Sequence, residues 1–564
     1  MKALLLAPLL LTTPVARAQS GADTLMRAMT DEMKRTVERL DMENLGRPYY
    51  VAYTARDVDR TEVEGTFGAL KGPSSHKSRR LKIDLRVGTP AFDNTHYVGQ
   101  RYWMFSPTTE SLVTEDDYDA LRYDIWSATD KAYKTAQETL SQKKAYKQNK
   151  LIREDIPDLS RDPAAASLRP LTTLSLDKAL WEDRVRKLSA VFRRYPLIQD
   201  SKVSLLWTQQ HTAFVDNEGR KVLKNDHDIE VYMEAETQAP DGMRLADRRR
   251  IIRQSPQDLP AFEALQAEAE KLAKDLSSLS QAPLWEANYT GPVLLEGQAA
   301  GEFFNQLLAR NLSFPRSVWV EDEENKENFY SGAFGERFGL RVVSPLLSVS
   351  DDPSVNTFDG LPLIGHYEVD DEGIPAQKLT LVEKGILKDV PMSRSPIKAR
   401  DRSNGHGRGS LEEFATAHIG SLFVNAAKTV PAAQLKSELL KQAKDYGLKY
   451  GLIIRRILDE ERQEKGEVLA APVLVYKVNV ADGREELLRN AQFTGVTLRS
   501  LRDVAMAGST RQVYNYYQLG PYKDNRGEVQ ASIVHPSVLI SEMELKKSEK
   551  KPERPPTLKH PFFN

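Results

Sequence analysis

The chain has 564 residues, with 79 Lys and Arg against 80 Asp and Glu for a formal charge of -1. That length asks for two or three domains of ordinary size, and the balanced charge argues against a nucleic-acid binder that relies on phosphate attraction, despite a local patch at Arg248-Arg249-Arg250. Cysteine is absent, which excludes disulfides and lipid attachment through a lipobox.

Met1-Lys2, the apolar run over 3–11 and the small residues Ala16 and Ala18 have the form of a secretory signal peptide cleaved after Ala18. The run is too short to cross a bilayer, and no other segment approaches the roughly twenty apolar residues that a spanning helix needs. A periplasmic or secreted protein without a membrane span is expected.

Leu25, Met29, Met33, Val37 and Leu40 recur at helical spacing and predict an amphipathic helix over 22–40. Gly46-Arg47-Pro48 breaks it, and β-rich runs at 49–54 and 81–87 predict strands. A long helix is expected over about 114–150, with Tyr118, Leu121, Ile125 and Trp126 on one side. A polar linker over 157–170 leads to a further helix over 176–195 carrying Leu180, Trp181, Val185, Leu188 and Val191. Strands are expected at 202–207, 212–215 and 229–235, with Asp216-Asn217-Glu218-Gly219 as a hairpin turn between them. Phe262, Leu265, Ala269, Leu272 and Leu276 then predict a helix that closes the first domain.

These elements describe an α+β chain with a mixed N-terminal domain over 22–280, containing a helical insertion near 114–196. A boundary falls at Gln281-Ala282-Pro283, a β-rich C-terminal domain spans 285–545, and the Lys- and Pro-rich tail over 546–564 is expected to be loose. No internal repeat is found.

The most informative stretch is 368–390. Asp370-Asp371-Glu372-Gly373 favours a turn, the alternation of Leu379, Leu381 and Val382 a strand, and Glu383-Lys384-Gly385 a reversal into a second strand. With Val349-Ser350-Asp351-Asp352-Pro353 upstream, and Ser403-Asn404-Gly405-His406-Gly407-Arg408, Ala481-Asp482-Gly483 and 501–505 downstream, this order resembles the C-terminal domain of the TldD/PmbA family over about 291–545. The family has one branch of zinc metallopeptidases and one that lacks the metal motif, and the resemblance implies a two-domain architecture.

In the peptidase branch a helix carries HExxxH, with two histidines that bind zinc and a glutamate that activates water. The corresponding stretch here is 294–302, where Glu296 and Gly301 stand in the histidine positions and Gly297 in that of the glutamate. The third ligand of that branch is a cysteine from the segment matching 506–513, and this chain has none. The reading is therefore an exported member of the branch without HExxxH, with no catalytic residue, no metal and no cofactor. A site rearranged from Glu296, Glu302, His406 and His418 would restore zinc, although Glu302 reads more simply as a solvent-facing helix residue, His406 as part of a mobile glycine loop and His418 as structural.

The resemblance implies a role in peptide processing as a non-catalytic subunit, paired with a metal-bearing homologue or with itself. The alternatives are a stand-alone peptide-binding protein, with Asp371, Glu372, Lys384 and Arg408 as candidate substrate-binding residues, and a hydrolase with a new site, using His366, or His535 near Ser537.

Overall fold

The computed structural model describes residues 14–42, 46–99, 106–329, 332–459, 468–519, 528–550, 552–556, 558 and 560–561. The apolar run at 3–11, on which the signal-peptide expectation rests, lies outside the described residues. The fold is α+β and is organised around two large, mainly antiparallel sheets.

The first sheet takes Arg244–Arg253, Asp228–Gln238, Ile198–Asp216, Pro48–Thr66 and Ser74–Thr89 in that spatial order. Helices cover it through two apolar clusters, which take Val51 and Val63 from opposite ends of the strand Pro48–Thr66. In the first, Leu25 and Met29 of the helix Pro14–Arg39 and Leu121, Ile125 and Tyr133 of Tyr118–Asn149 bury against Val51, Tyr53, Leu81 and Ile83. In the second, Trp181, Val185 and Leu188 of Lys178–Ala190 and Leu265, Leu272 and Leu276 of Phe262–Gln281 bury against Leu205, Trp207 and Ile229. Asp117 and Asp177 start two of these helices by accepting the backbone N–H groups of Ala120 and Leu180, donors that would otherwise lack an intrahelical partner.

The second sheet runs Leu379–Glu383, Leu347–Asp351, Ser421–Ala426, Glu528–Lys547, Tyr289–Leu295, Tyr450–Ile457 and Pro472–Asn479, with Val504–Leu519 also paired to Glu528–Lys547. Its two faces are covered by different helices. Leu435 and Leu439 of Ala432–Asp445 pack on Leu294, Ile453 and Leu539, while Phe303, Phe304, Leu307 and Leu308 lie in the main core with Leu295, Leu452 and Ile533. The element carrying those phenylalanines is an α-helix, Gln298–Phe304, that widens into a π-helical turn at Asn305–Ala309.

The two parts are tied by buried charge. The guanidinium of Arg394 is fully enclosed, lies over the Tyr50 ring, donates to the Ser160 carbonyl at 2.8 Å and forms an ion pair with the Glu218 carboxylate at 2.7 Å.

Several sequence expectations need correction. The runs at 202–207 and 212–215 are one strand, Ile198–Asp216, because every residue from 203 to 216 pairs with Pro48–Thr66. Trp126 and Leu180 are exposed: the buried stripe of the long helix passes through Leu121, Ile125 and Ala128, and Trp126 lies outside it beside Tyr123. Val37 likewise faces solvent. The linker at 157–170 is partly interior, since Asp158 is buried against Lys143 at 2.7 Å. It also contributes the strand Ala166–Leu168, which pairs with Lys221–Asn225. The tail is not loose throughout. Lys546 and Lys547 end the strand Glu528–Lys547, the Glu553 N–H donates to the Gly242 carbonyl at 3.1 Å, and its carboxylate meets Arg244 at 2.8 Å.

Candidate functional site

Two polar cavities lie between the sheets. The first, of about 240 Å³, is lined by Arg56, Lys224, Asp228, Glu230, Asp371, Arg408 and Tyr517, among others. The second, of about 210 Å³, is lined by residues that include Arg248, Arg250, Glu302, Asn305, Arg456, Asp459 and Tyr514 to Tyr517. Tyr517 borders both, and its hydroxyl donates to Asp228 at 2.6 Å. The pair Arg250–Glu230, at 2.7 Å, spans the two linings.

In the first cavity Asp371 accepts from Lys224 at 2.8 Å and from the Gly409 N–H at 3.0 Å, with Arg56 at 3.8 Å. Burial raises its proton affinity, but these cations outweigh it and hold the carboxyl well below the usual range. Arg408 is fixed by the Gln530 carbonyl at 2.6 Å and lies 4.6 Å from the Tyr367 ring centre. At Asp228 burial outweighs the Tyr517 and Thr208 hydroxyls and Arg60 and pushes the carboxyl up to about 6.

The remaining proposed substrate residues lie elsewhere. Glu372 is buried behind the turn, where it accepts the Arg394 N–H at 2.7 Å, and burial pushes it up to about 7. Lys384 is exposed on the turn between Leu379–Glu383 and Ile386–Leu387. The structure thus brings Asp371 and Arg408 to one cavity, while Glu372 and Lys384 are absent from its lining.

The second cavity is built on the helix Gln298–Phe304. Gly297, at φ +58, turns the chain out of the strand and into the helix. Glu296, at the strand end, pairs outward with Arg455 at 2.9 Å. Gly301 has no room for a side chain, since a Cβ there would stand 2.8 Å from Tyr514 Cγ and 3.1 Å from His535 Nε2. The next residue, Glu302, is fully buried and carries the chemistry. It accepts from the Tyr514 hydroxyl, from Gln306 Nε2 at 2.9 Å and from Asn305 Nδ2 at 3.2 Å. None of these partners is charged, and burial pushes the carboxyl up to about 7. The same burial and the adjacent Glu302 hold the Tyr514 hydroxyl well above its ordinary value.

Glu302 therefore corrects the expectation of a solvent-facing residue. His406 is also no part of a mobile loop: it is enclosed, donates from Nδ1 to the Asn404 carbonyl at 3.0 Å, and presents Nε2 to Asp351 at 3.3 Å. His418 donates to the Thr416 carbonyl at 2.9 Å, and burial pushes it down to about 4. His366 and His535 donate to the carbonyls of Pro353 and Pro536.

Zinc does not fit this donor set. Among the described residues no three His, Cys, Asp or Glu side chains are placed to hold a metal ion. Glu296 faces away from the cavity that Glu302 enters, and Gly301 is closed by Tyr514.

Residues 288–547 match the model of the PmbA/TldA metallopeptidase C-terminal domain. This part of the chain is similar to the C-terminal domain of that family. A metalloprotease of Methanocaldococcus jannaschii is 27% identical over 154 residues, which are 27% of this chain and 30% of that protein. The match thus spans under a third of the relative. The fold is similar to a crystal structure from Thermotoga maritima described as that of a candidate modulator of DNA gyrase, with TM-score 0.58 and 13% identity over 93% of this chain and 99% of that one. It is also similar to TldE from Thermococcus kodakarensis, with TM-score 0.56 and 12% identity over 92% of this chain and all of that one. At such identities the likeness is one of fold.

Sequence reasoning missed Tyr514, Asn305, Gln306, Arg456 and Asp459. One signal was available. From Ala299 to Ala309 the helix carries one charge, Glu302, in a run of small and apolar residues with two amides, and a helix that is apolar on most sides is buried.

Proposed function

We propose that this protein is an exported PmbA/TldD-type protein that binds peptides between its two sheets without zinc-dependent hydrolysis, and that it serves a metal-bearing homologue or a second copy of itself as a substrate-chamber subunit. The observation that carries the reading is Gly301. At a position where the resemblance calls for a zinc-binding histidine, the backbone lies so close to Tyr514 and His535 that an imidazole has no space. Export is supported by the N-terminal pattern of the sequence, and peptide binding by two adjoining polar cavities lined with both donors and acceptors. A pool of short peptides incubated with the purified full-length chain, then analysed by mass spectrometry in the bound and free fractions, tests it. Enrichment of intact peptides is expected; new cleavage products that vanish on adding a chelator would overturn it.

A further inference from the structure

The second cavity has an unbalanced interior. Arg248 is paired with Asp459, Arg249 with Asp247 and Asp275, Arg250 with Glu230, and Arg456 with Asp247. Glu302 is held by neutral donors alone. Beside it, Asn305 Oδ1 and Asp459 Oδ1 are buried acceptors with no hydrogen-bond partner among the described residues, and Arg456 Nε is a buried donor in the same condition. All four residues line this cavity. A buried polar atom left unmatched costs roughly 1–3 kcal/mol. Two unmatched acceptors, one unmatched donor and the Glu302 carboxyl without a cation, around a space of about 210 Å³, thus describe the complement of a ligand: a group that donates several hydrogen bonds, carries positive charge and has an acceptor next to it.

A metal cation does not meet that description, because Arg456 Nε would face it. A guanidinium has no adjacent acceptor. The first residue of a peptide has both parts, an ammonium with three N–H donors and, two bonds beyond its Cα, a carbonyl oxygen. The cavity is smaller than the roughly 300–1,000 Å³ of sites for drug-sized ligands, which suits one residue and not a long segment. The stacked rings of Tyr514 and Tyr516, 5.6 Å apart, wall one side.

We infer that this cavity binds the N-terminal ammonium of a peptide, with Glu302 as its counter-ion, Asn305 and Asp459 as further acceptors, and Arg456 Nε donating to the first carbonyl. The inference rests on the peptide-binding reading above and adds to it which end of the peptide is held. It also gives the π-helical turn at Asn305–Ala309 a role. By widening the helix after Phe304, the turn sets Asn305 beside Glu302 so that one amide orients the carboxylate while its oxygen remains available.

Titration calorimetry on the full-length chain at neutral pH, with trialanine, N-acetyl-trialanine and the acetylated tripeptide Ala-Lys-Ala, tests the inference. Trialanine should bind, and acetylation should weaken it about tenfold or more, since it removes both the charge and two donors. Glu302→Gln should weaken trialanine by about the same factor and leave the acetylated peptides unchanged. Asp459→Asn should show the same selectivity to a smaller degree, so a misfolded Glu302 variant does not end the test. Equal affinity for free and acetylated trialanine would overturn the inference and leave peptide binding standing. Preference for the acetylated lysine peptide would overturn it in favour of a side-chain ammonium site. Failure of every peptide to bind would overturn the peptide-binding reading itself.

Discussion

Glu302 and Asp371 are carboxylates enclosed in adjoining cavities, yet they are driven in opposite directions. Asp371 faces Lys224, Arg56 and Arg408, and these cations overcome its desolvation and keep it ionised. Glu302 faces a tyrosine hydroxyl and two amides, which stabilise a carboxylate less than cations do, and burial wins. Burial alone therefore does not set the state of an acid; the charge of its hydrogen-bond partners does. Asp371 is thus held as an anion by its neighbours, whereas Glu302 has no cation to offset its burial.

The comparison breaks most readily at Asp371. Asp371→Ala takes the anion from half-buried Arg56 and leaves Lys224 with Asp226 alone, at 3.5 Å, and should cost about 3 kcal/mol in urea or thermal unfolding. Because its acidity is increased by folding, Asp371 stabilises the wild-type chain fully above the ordinary carboxylate range, and that contribution is lost in acid. A loss under 1 kcal/mol would show that its cations are satisfied without it.

Glu302 should give the opposite pH dependence. Folding raises it from 4.5 to about 7, so the native state holds a proton that the unfolded chain has released over that interval. The stability of wild type relative to Glu302→Gln should fall as pH rises through that window, by about 3 kcal/mol at most, and be flat on either side. Parallel stability profiles for the two chains would contradict the assignment.

Crowding at Gly301 sets a third, smaller effect. Gly301→Ala should cost roughly 1–3 kcal/mol because the Tyr514 ring must move. The triple change Glu296→His, Gly297→Glu and Gly301→His should yield no tight, stoichiometric zinc, which elemental analysis of that variant would reveal. Smallest of all, Lys384→Ala on its exposed turn should leave stability within about 0.5 kcal/mol and peptide affinity unchanged.

Much of the fold was legible in local pattern. The turn and strand pair at 368–390 follow from alternation and from Lys384-Gly385, and the helices at 118–149 and 262–281 from their apolar stripes. The merging of two expected strands into Ile198–Asp216 was not legible, because the polar residues Gln209, Gln210 and His211 between them look like a loop until a paired neighbour satisfies their backbone. At the sites, the family-like loops pointed to Asp371 and Arg408, and both line one cavity. Glu302 was misjudged because helical spacing describes one face at a time, and only the tertiary contact with Tyr514, 212 residues away, encloses the other. The partners Arg456 and Asp459 come from a distant sheet strand and its end, and their approach to Glu302 has no signature within either segment.

The central proposal is that the helix Gln298–Phe304, which the sequence resemblance sets at the zinc-binding position of the peptidase branch, holds a buried acid and no metal centre. It is tested most directly by elemental mass spectrometry of the purified full-length chain after mild dialysis, with a peptidase assay in added zinc. The account predicts far less than one zinc per chain and no chelator-sensitive cleavage. One zinc per chain, with cleavage abolished by a chelator, would contradict it.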